Sequence, residues 1–368
     1  MRYIAIVSRV ILGIVFIFSG FVKAVDPMGS AYKFSEYFDV FSLSFLDSLA
    51  LFTSISLSAL EFIIGIGLLL GLKIIISVWG GFLFMLFFTP LTLYIAITNP
   101  VADCGCFGDV LIITNWQTFY KNIFLFAFAS IAFCYRKKFK PWFCCKVEWG
   151  ILIVFAIFSV GISVYGLRHL PIIDFLGWKV GSNMKVDTSI KDEYYLIYKN
   201  KNTGETQEFL SPNYPWKDSV WMAEWEFVEQ RVVMAPKPDN YLYIQDSYRE
   251  DVSCFLTQNP DFNFMLVVDD IDETNIVAFE KINDFANKAI EKGIYFYALT
   301  GNAPNKAKGF ADKIDAPYEF YFADGTILKT VIRSNPGLLL LKDATILAKW
   351  SYRDIPDFEK LEDKYITD

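Results

Sequence analysis

The chain of 368 residues carries a formal net charge of −7, is 54% hydrophobic and contains 36 phenylalanines. Its mean hydropathy of +0.33 is too apolar for an ordinary soluble protein; apolar residues concentrate in the first half and charge in the second. This asymmetry points to a membrane-embedded half joined to an acidic soluble half, and a net negative soluble part gives no reason to expect nucleic acid as a partner. The single histidine, His169, excludes a multi-histidine metal site and the six cysteines form no zinc pattern, so no metal is expected.

Five membrane spans are expected in chain order. The first is Ile4 to Val22, 19 residues, with Ser8, Arg9 and Ser19 as its polar members. It is too long for a signal-peptide core and no small-x-small cleavage site follows, so it reads as a retained span. Residues 23–48 interleave aromatics with charge and read as an amphipathic helix at the headgroup level. Leu49 to Leu70, broken only by Glu61, is the second span, and Ile74 to Ile97, with Pro90 inside, is the third. The fourth runs from Phe119 to Tyr135, with Lys121 and Asn122 near its start to snorkel or cap; the fifth is Trp149 to Leu167.

Basic residues orient these spans. Arg136, Lys137, Lys138, Lys140 and Lys146 crowd the loop before the fifth span, whereas residues 98–118 hold no Lys or Arg. The N-terminus is therefore expected in the cytoplasm. The 98–118 loop and everything beyond residue 170 are expected outside, which for a bacterial inner membrane is the periplasm. Cys134, Cys144 and Cys145 fall at the reducing face and read as inert. Charges inside a span need partners. Glu61 lies 12 residues into its helix and Arg9 lies 14 residues before Lys23, so at about 1.5 Å per residue an Arg9–Glu61 pair is expected. It either locks helix packing or contacts a proton or a quinone headgroup; otherwise Glu61 is protonated or pairs with another group.

The loop between the third and fourth spans reads Asp103-Cys104-Gly105-Cys106-Phe107-Gly108-Asp109. A disulfide across one residue closes a small strained ring, and Gly105 supplies the permissive backbone. Asp103 and Asp109 are expected to raise the thiol pKa values. Three readings of Cys104 and Cys106 stay open: a structural or resting disulfide, a pair exchanging with a partner, or a ligand set completed from outside.

In the soluble half, Tyr194 to Leu210 reads as a hairpin around Asn202-Thr203-Gly204. Trp216, Trp221 and Trp225 surround a short helical candidate, and Tyr241 to Ile244 reads as a strand. Phe262 to Val268 is a buried parallel strand by its continuous apolar run. A helix over 275–292, a strand over 294–299, a helix over 304–314, a hairpin from 338–341 and 345–351, and a final helix over 356–365 follow.

Arg9, Gly13, Gly20 and Lys23 in the first span, Glu61, Gly65 and Gly71 in the second, the cysteine loop and Trp116 resemble the DoxX/MauE family of small membrane bundles over roughly residues 1–140. The resemblance implies a four-helix bundle, a setting of thiosulfate–quinone oxidation or of periplasmic enzyme maturation, and a quinone as the one cofactor class. Residues 262–368 resemble a thioredoxin fold, with Asn335-Pro336 at the cis-proline loop. Where that fold carries Cys-x-x-Cys, this chain reads Asp269-Asp270-Ile271-Asp272-Glu273, and its only thiol in the soluble half is Cys254. A dithiol mechanism needs two thiols, so this domain is expected to be redox-inactive and used for docking. The combination resembles proteins of the Bacteroidetes.

The expected fold class is an α-helical membrane bundle, four DoxX-like helices plus a fifth transmembrane helix, followed by a soluble α/β thioredoxin-like domain. The expected units are the bundle (1–140), the basic loop and fifth span (141–169), a β-rich segment (170–261) and the thioredoxin-like domain (262–368). Two functions follow: a membrane protein assisting thiol–disulfide or maturation chemistry of an envelope client through Cys104 and Cys106, or a non-enzymatic scaffold of an envelope complex. Membrane lipids and a periplasmic or envelope protein are the expected partners. Transport is disfavoured, because there is no inverted repeat.

Overall fold

The computed structural model describes residues 2–139, 144–187, 192–238 and 240–366. Lys140 of the basic loop and Met1 lie outside the described residues.

The membrane half is built from α1 (Arg2–Val25), α2 (Pro27–Val40), α3 (Ala50–Leu70), α4 (Ile74–Thr98), α5 (Asn115–Cys134) and α6 (Cys145–Arg168). Four segments are long and apolar enough to cross a membrane: Tyr3–Val25, Ser44–Leu70, Ile74–Thr98 and Cys145–Arg168. The expected span near residues 119–135 lies in the 20-residue helix α5, which is not among those four and whose first turns carry Asn115, Gln117, Lys121 and Asn122. Leu12 and Phe16 of α1, Ile64 and Leu68 of α3, Val78 and Met85 of α4, and Leu125 and Ala129 of α5 make one core. Helix α6 adds to the outside of this bundle, where Phe155 and Phe158 meet Phe62 of α3.

Small residues set the α1–α3 register. A Cβ on Gly20 would lie 2.6 Å from the Phe62 backbone nitrogen, and one on Gly65 would lie 2.6 Å from that of Ile17. Backbones this close exclude larger side chains and lock the two helices against sliding. Asp26 starts α2 by accepting from the Gly29 amide at 2.9 Å, with Pro27 at its first position. Asn122 of α5 donates to Thr92 of α4 at 3.1 Å, a polar tie inside an apolar interface.

The soluble half has two sheets. The smaller holds β1 (Glu193–Asn200), β2 (Thr206–Leu210) and β3 (Trp225–Val233) in the order β2-β1-β3, all antiparallel. Asn200 Oδ1 accepts from the Asn202 and Thr203 amides and Gly204 takes φ +76°, which makes the hairpin turn read from the sequence. Trp221 sits on α7 (Ser219–Glu224), stacks on Trp225 and meets Tyr198 and Phe209 edge-on. Tyr241 to Ile244 is not a strand; Leu242 and Ile244 are buried as a coil segment held by the Gln245–Phe322 bridge.

After α8 (Ser253–Thr257) comes the larger sheet: β4 (Asn263–Val268), α9 (Ala278–Glu291), β5 (Tyr295–Thr300), α10 (Pro304–Lys313), β6 (Glu319–Phe322), α11 (Gly325–Val331), β7 (Gly337–Lys342), β8 (Thr345–Ser351) and α12 (Phe358–Tyr365). The strand order is β6-β5-β4-β7-β8. Strands β4, β5 and β6 run parallel, β7 is antiparallel to β4, and β8 to β7. Strand β6 and helix α11 are not among the sequence expectations. Every residue of β4 is buried, because the sheet is covered on both faces. Phe264, Leu266 and Val268 face α9 and α12, whereas Met265 and Val267 face Leu176, Trp178, Met184, Leu242, Ile244 and α11. The core therefore draws on residues on both sides of residue 261. The Asn335–Pro336 bond is cis.

Candidate functional site: a thiol pair above an apolar cavity

The cysteine loop is pinned at its base before it is shaped at its tip. Asn115 Nδ2 donates to Asn99 Oδ1 and to the Val101 carbonyl, both at 2.8 Å, and a Thr114–Gln117 capping box starts α5. At the tip, Gly105 and Gly108 take φ +65° and +53°, left-handed values that glycine adopts freely. Three side chains from the helices then hold the segment. Ser19 of α1 donates to the Cys106 carbonyl at 2.7 Å, Tyr37 of α2 donates to the Cys104 carbonyl at 2.8 Å, and Lys33 of α2 pairs with Asp103 at 2.9 Å. Cys104 and Cys106 are free thiols with sulfurs 3.1 Å apart.

The two thiols are electrostatically unequal. The hydrogen bond from Cys104, then the nearby Lys121 and Lys23 ammonium groups, hold the Cys106 thiol at about 6 against the opposing effect of burial. The same hydrogen bond, with burial, pushes Cys104 up. This corrects the expectation that Asp103 and Asp109 raise both thiols. Asp103 is neutralised by Lys33 and by the Gly105 amide at 2.9 Å, and Asp109 by Arg333 at 2.8 Å. Phe107 is buried beneath Lys121, whose ammonium lies 4.2 Å from the ring centroid. Lys121 thus turns toward the thiol loop.

Both cysteines line a cavity of about 410 Å³ between α1, α2, α3, α4 and α5. Its wall is mostly aromatic and aliphatic, including Phe34, Phe38, Phe84, Phe88 and Leu125, with Lys23, Lys33, Glu61 and Lys121 as its charged members. Phe41, Leu43 and Phe87 line it too and are themselves partly exposed. A volume of this size, with an apolar wall and a few convergent polar groups, suits a small amphiphile.

The intramembrane charges pair differently from expectation. Glu61, 4% exposed, pairs with Lys23 at 2.5 Å rather than with Arg9. The glycine register is the reason: Gly20 sits against Ser58 and Phe62, which brings Lys23 and Glu61 to one level at the cavity wall. Arg9 lies at the other end of α1, with its Nη1 3.1 Å from a Cβ position on Gly71 and its guanidinium 5.3 Å from the Phe139 ring. Arg9 is 5% exposed and its Nε has no hydrogen-bond partner among the described residues. Also at that end, Cys145 is exposed and accepts from Lys73 at 2.7 Å.

The α/β region reaches the same loop. Arg333, four residues before the β7 start, inserts its guanidinium between Asp26 and Asp109. Burial works to lower the Arg333 pKa, but these two carboxylates outweigh it and the pKa rises. Tyr32 of α2 lies beneath both Lys329 and Arg333. Asn335 donates to the Asp270 carbonyl at 2.7 Å, which ties the cis-proline loop to the segment following β4. Trp116 is half-exposed beside Phe119 and Tyr120, away from this cluster.

Sequence reasoning named the loop and Lys23 but missed Ser19, Tyr37, Lys33 and Arg333 as its supports. A signal existed for two of these: Lys33 and Tyr37 are four apart on α2, hence on one face. Arg333 had none, since its partner Asp26 lies 307 residues away.

Residues 1–135 match the family model described as methylamine utilisation protein MauE. No curated protein and no solved structure matches the chain. The N-terminal membrane region, which contains the thiol pair, Lys23, Glu61 and the cavity, is thus MauE/DoxX-like, and it is joined to a C-terminal α/β region outside the match.

Proposed function

We propose that the protein is a membrane thiol–disulfide redox protein that serves an envelope client. The carrying observation is that Cys104 and Cys106, 3.1 Å apart, line a largely apolar cavity among helices of the membrane half. Water-soluble oxidants have little reason to partition into such a wall, whereas a lipid-soluble acceptor does. The residues fit a quinone headgroup: aromatic walls accept the ring, and Lys121, Lys23 and the thiols converge at one end. When bound, a quinone would take two electrons from the pair and two protons at its ring oxygens, one from the Cys104 thiol and one from water, as Cys104 and Cys106 become one disulfide. Cys106, held at about 6, is the thiolate at neutral pH, and Cys104 keeps the proton between them.

The reading places five spans in a bacterial inner membrane, with the N-terminus cytoplasmic and the cysteine loop and α/β region periplasmic. The α/β region is read as a thioredoxin-like docking domain. Its support is the β-α-β order of β4, α9 and β5, the antiparallel β7–β8 hairpin, and the Asn335 contact to Asp270, where the chain carries no dithiol. It docks the client, and Cys104–Cys106 supplies the chemistry.

A second reading, a scaffold, is favoured by the small sheet. Trp216, Val220, Met222, Phe227 and Val228 are exposed there, and β3 offers a free edge. Counting free thiols separates the two. The full chain in lipid nanodiscs should lose two thiols when a short-chain quinone is added, and a Cys104→Ser/Cys106→Ser chain should lose none. An unchanged thiol count in the native chain would leave the scaffold.

A further inference from the structure

Lys121 stands out among the cavity's charges because it has no carboxylate partner among the described residues; the anion it faces is the Cys106 thiolate. Lys23 is held by Glu61, and Lys33 by Asp103 and Glu36. Lys121 rests on the face of Phe107 at 4.2 Å and has no carboxylate partner among the described residues. The thiolate balances its charge, but an ammonium group in an apolar wall still needs acceptors for its donors. A ring face compensates weakly and leaves the three N–H donors without an oxygen among the described residues. A ligand oxygen beside Cys106 would fill that place with a charge-assisted hydrogen bond.

We infer that Lys121 is the ligand-binding residue for an oxygen of the cavity's occupant, and that it sets the cavity's preference for a carbonyl-bearing ring over a plain hydrocarbon of the same shape. The inference rests on the redox reading for the identity of the ligand, and on an ammonium with no oxygen acceptor among the described residues for the residue. It explains why one cation in this wall is left without a carboxylate. A Lys121–Glu pair would satisfy the apo protein and remove the donor from the ligand. Phe107 then acts as a positioning residue that keeps the ammonium at the thiol end of the cavity.

The test uses the full chain in detergent micelles and two probes: a benzoquinone carrying one isoprene unit, and the matching benzene that lacks both ring oxygens. Binding to the native chain should favour the quinone. Lys121→Met should weaken quinone binding about tenfold and leave the hydrocarbon unchanged, while Lys121→Arg should restore the preference. Lys121→Gln, which keeps a neutral donor, should fall between them and serves if the Met variant does not fold. Equal quinone affinity for the native and Met chains would overturn the inference, whether or not the thiols are oxidised. Lys121-dependent binding with no loss of thiols would uphold the inference and overturn the redox reading.

Discussion

Arg333 of the α/β region donates to Asp109 at 2.8 Å, so the last residue of the cysteine motif is held by a side chain 224 positions away. The same guanidinium reaches Asp26, the residue that starts α2, and its side chain is only 4% exposed. Helix α2 in turn carries Lys33 and Tyr37, which grip Asp103 and the Cys104 carbonyl. The placement of the α/β region and the shape of the thiol loop are therefore mechanically linked. A client drawn to the α/β region would act on the loop through this clamp.

Removing the clamp leaves two carboxylates facing each other in a partly buried site. Arg333→Met should weaken the contact between the two halves by roughly 3 kcal/mol, at the low end for a broken buried pair because Asp109 is a third exposed. Hydrogen exchange should rise in α2 and in residues 99–114 and stay unchanged in β4. Unchanged exchange in α2 would show that Arg333 is not what holds the two halves together.

Asp269 gives the contact a pH dependence. Burial raises its carboxyl from 3.8 to about 6, opposed by Lys329, with Glu273 and Asp270 adding to the rise. Its charge also reaches Tyr32 of α2. The folded state holds a proton there that the unfolded state has lost, so between about 4 and 6 stability falls as pH rises. This contribution is present below the ordinary carboxyl value and is lost above about 6. Thermal unfolding scans at stepped pH should show that slope in the native chain and a flatter one in Asp269→Asn.

The thiols should differ in reactivity. With Cys106 held at about 6, its alkylation by iodoacetamide should reach half its maximal rate near that pH. Cys104, pushed up by its hydrogen bond to Cys106 and by burial, should stay unreactive through neutral pH. Mass-spectrometric mapping of the modified residue over a pH series distinguishes them. Preferential labelling of Cys104 would reverse the assignment of nucleophile and partner.

The α1–α3 seam should tolerate no added carbon. A Cβ on Gly20 would meet backbone atoms of Ser58 and Phe62 at 2.6–2.9 Å, and backbone cannot swing aside as a side chain can. Gly20→Ala should destabilise the bundle by about 1–3 kcal/mol and shift Lys23 relative to Glu61. Unfolding in detergent measures the first effect.

Much of this was legible from residue patterns, and the failures are specific. The apolar runs marked the long helices, and the hairpin at Asn202–Gly204 and the β4–α9–β5 unit followed from periodicity and turn residues. The Arg9–Glu61 expectation failed because depth was measured along each helix separately. The glycine contacts that fix the register between helices are not visible in either run alone. Leu176, Trp178 and Met184 carry no local signal of their burial, because their partners, Met265 and Val267, lie some eighty to ninety positions on. The cavity was likewise unreadable, since its wall gathers residues from five helices. The site motif was local and could be named; its supports and electrostatics were set by tertiary packing.

The central claim is that Cys104 and Cys106 cycle between dithiol and disulfide. The most direct test is thiol trapping in intact cells, by acid quench and mass-tag alkylation, before and after the quinone pool is held reduced. The account predicts a mixture of oxidised and reduced pairs that shifts toward the dithiol when the pool is reduced, with a mixed disulfide to a client caught in the Cys104→Ser chain. A pair that stays in one state under both conditions, with no trapped client, would contradict it.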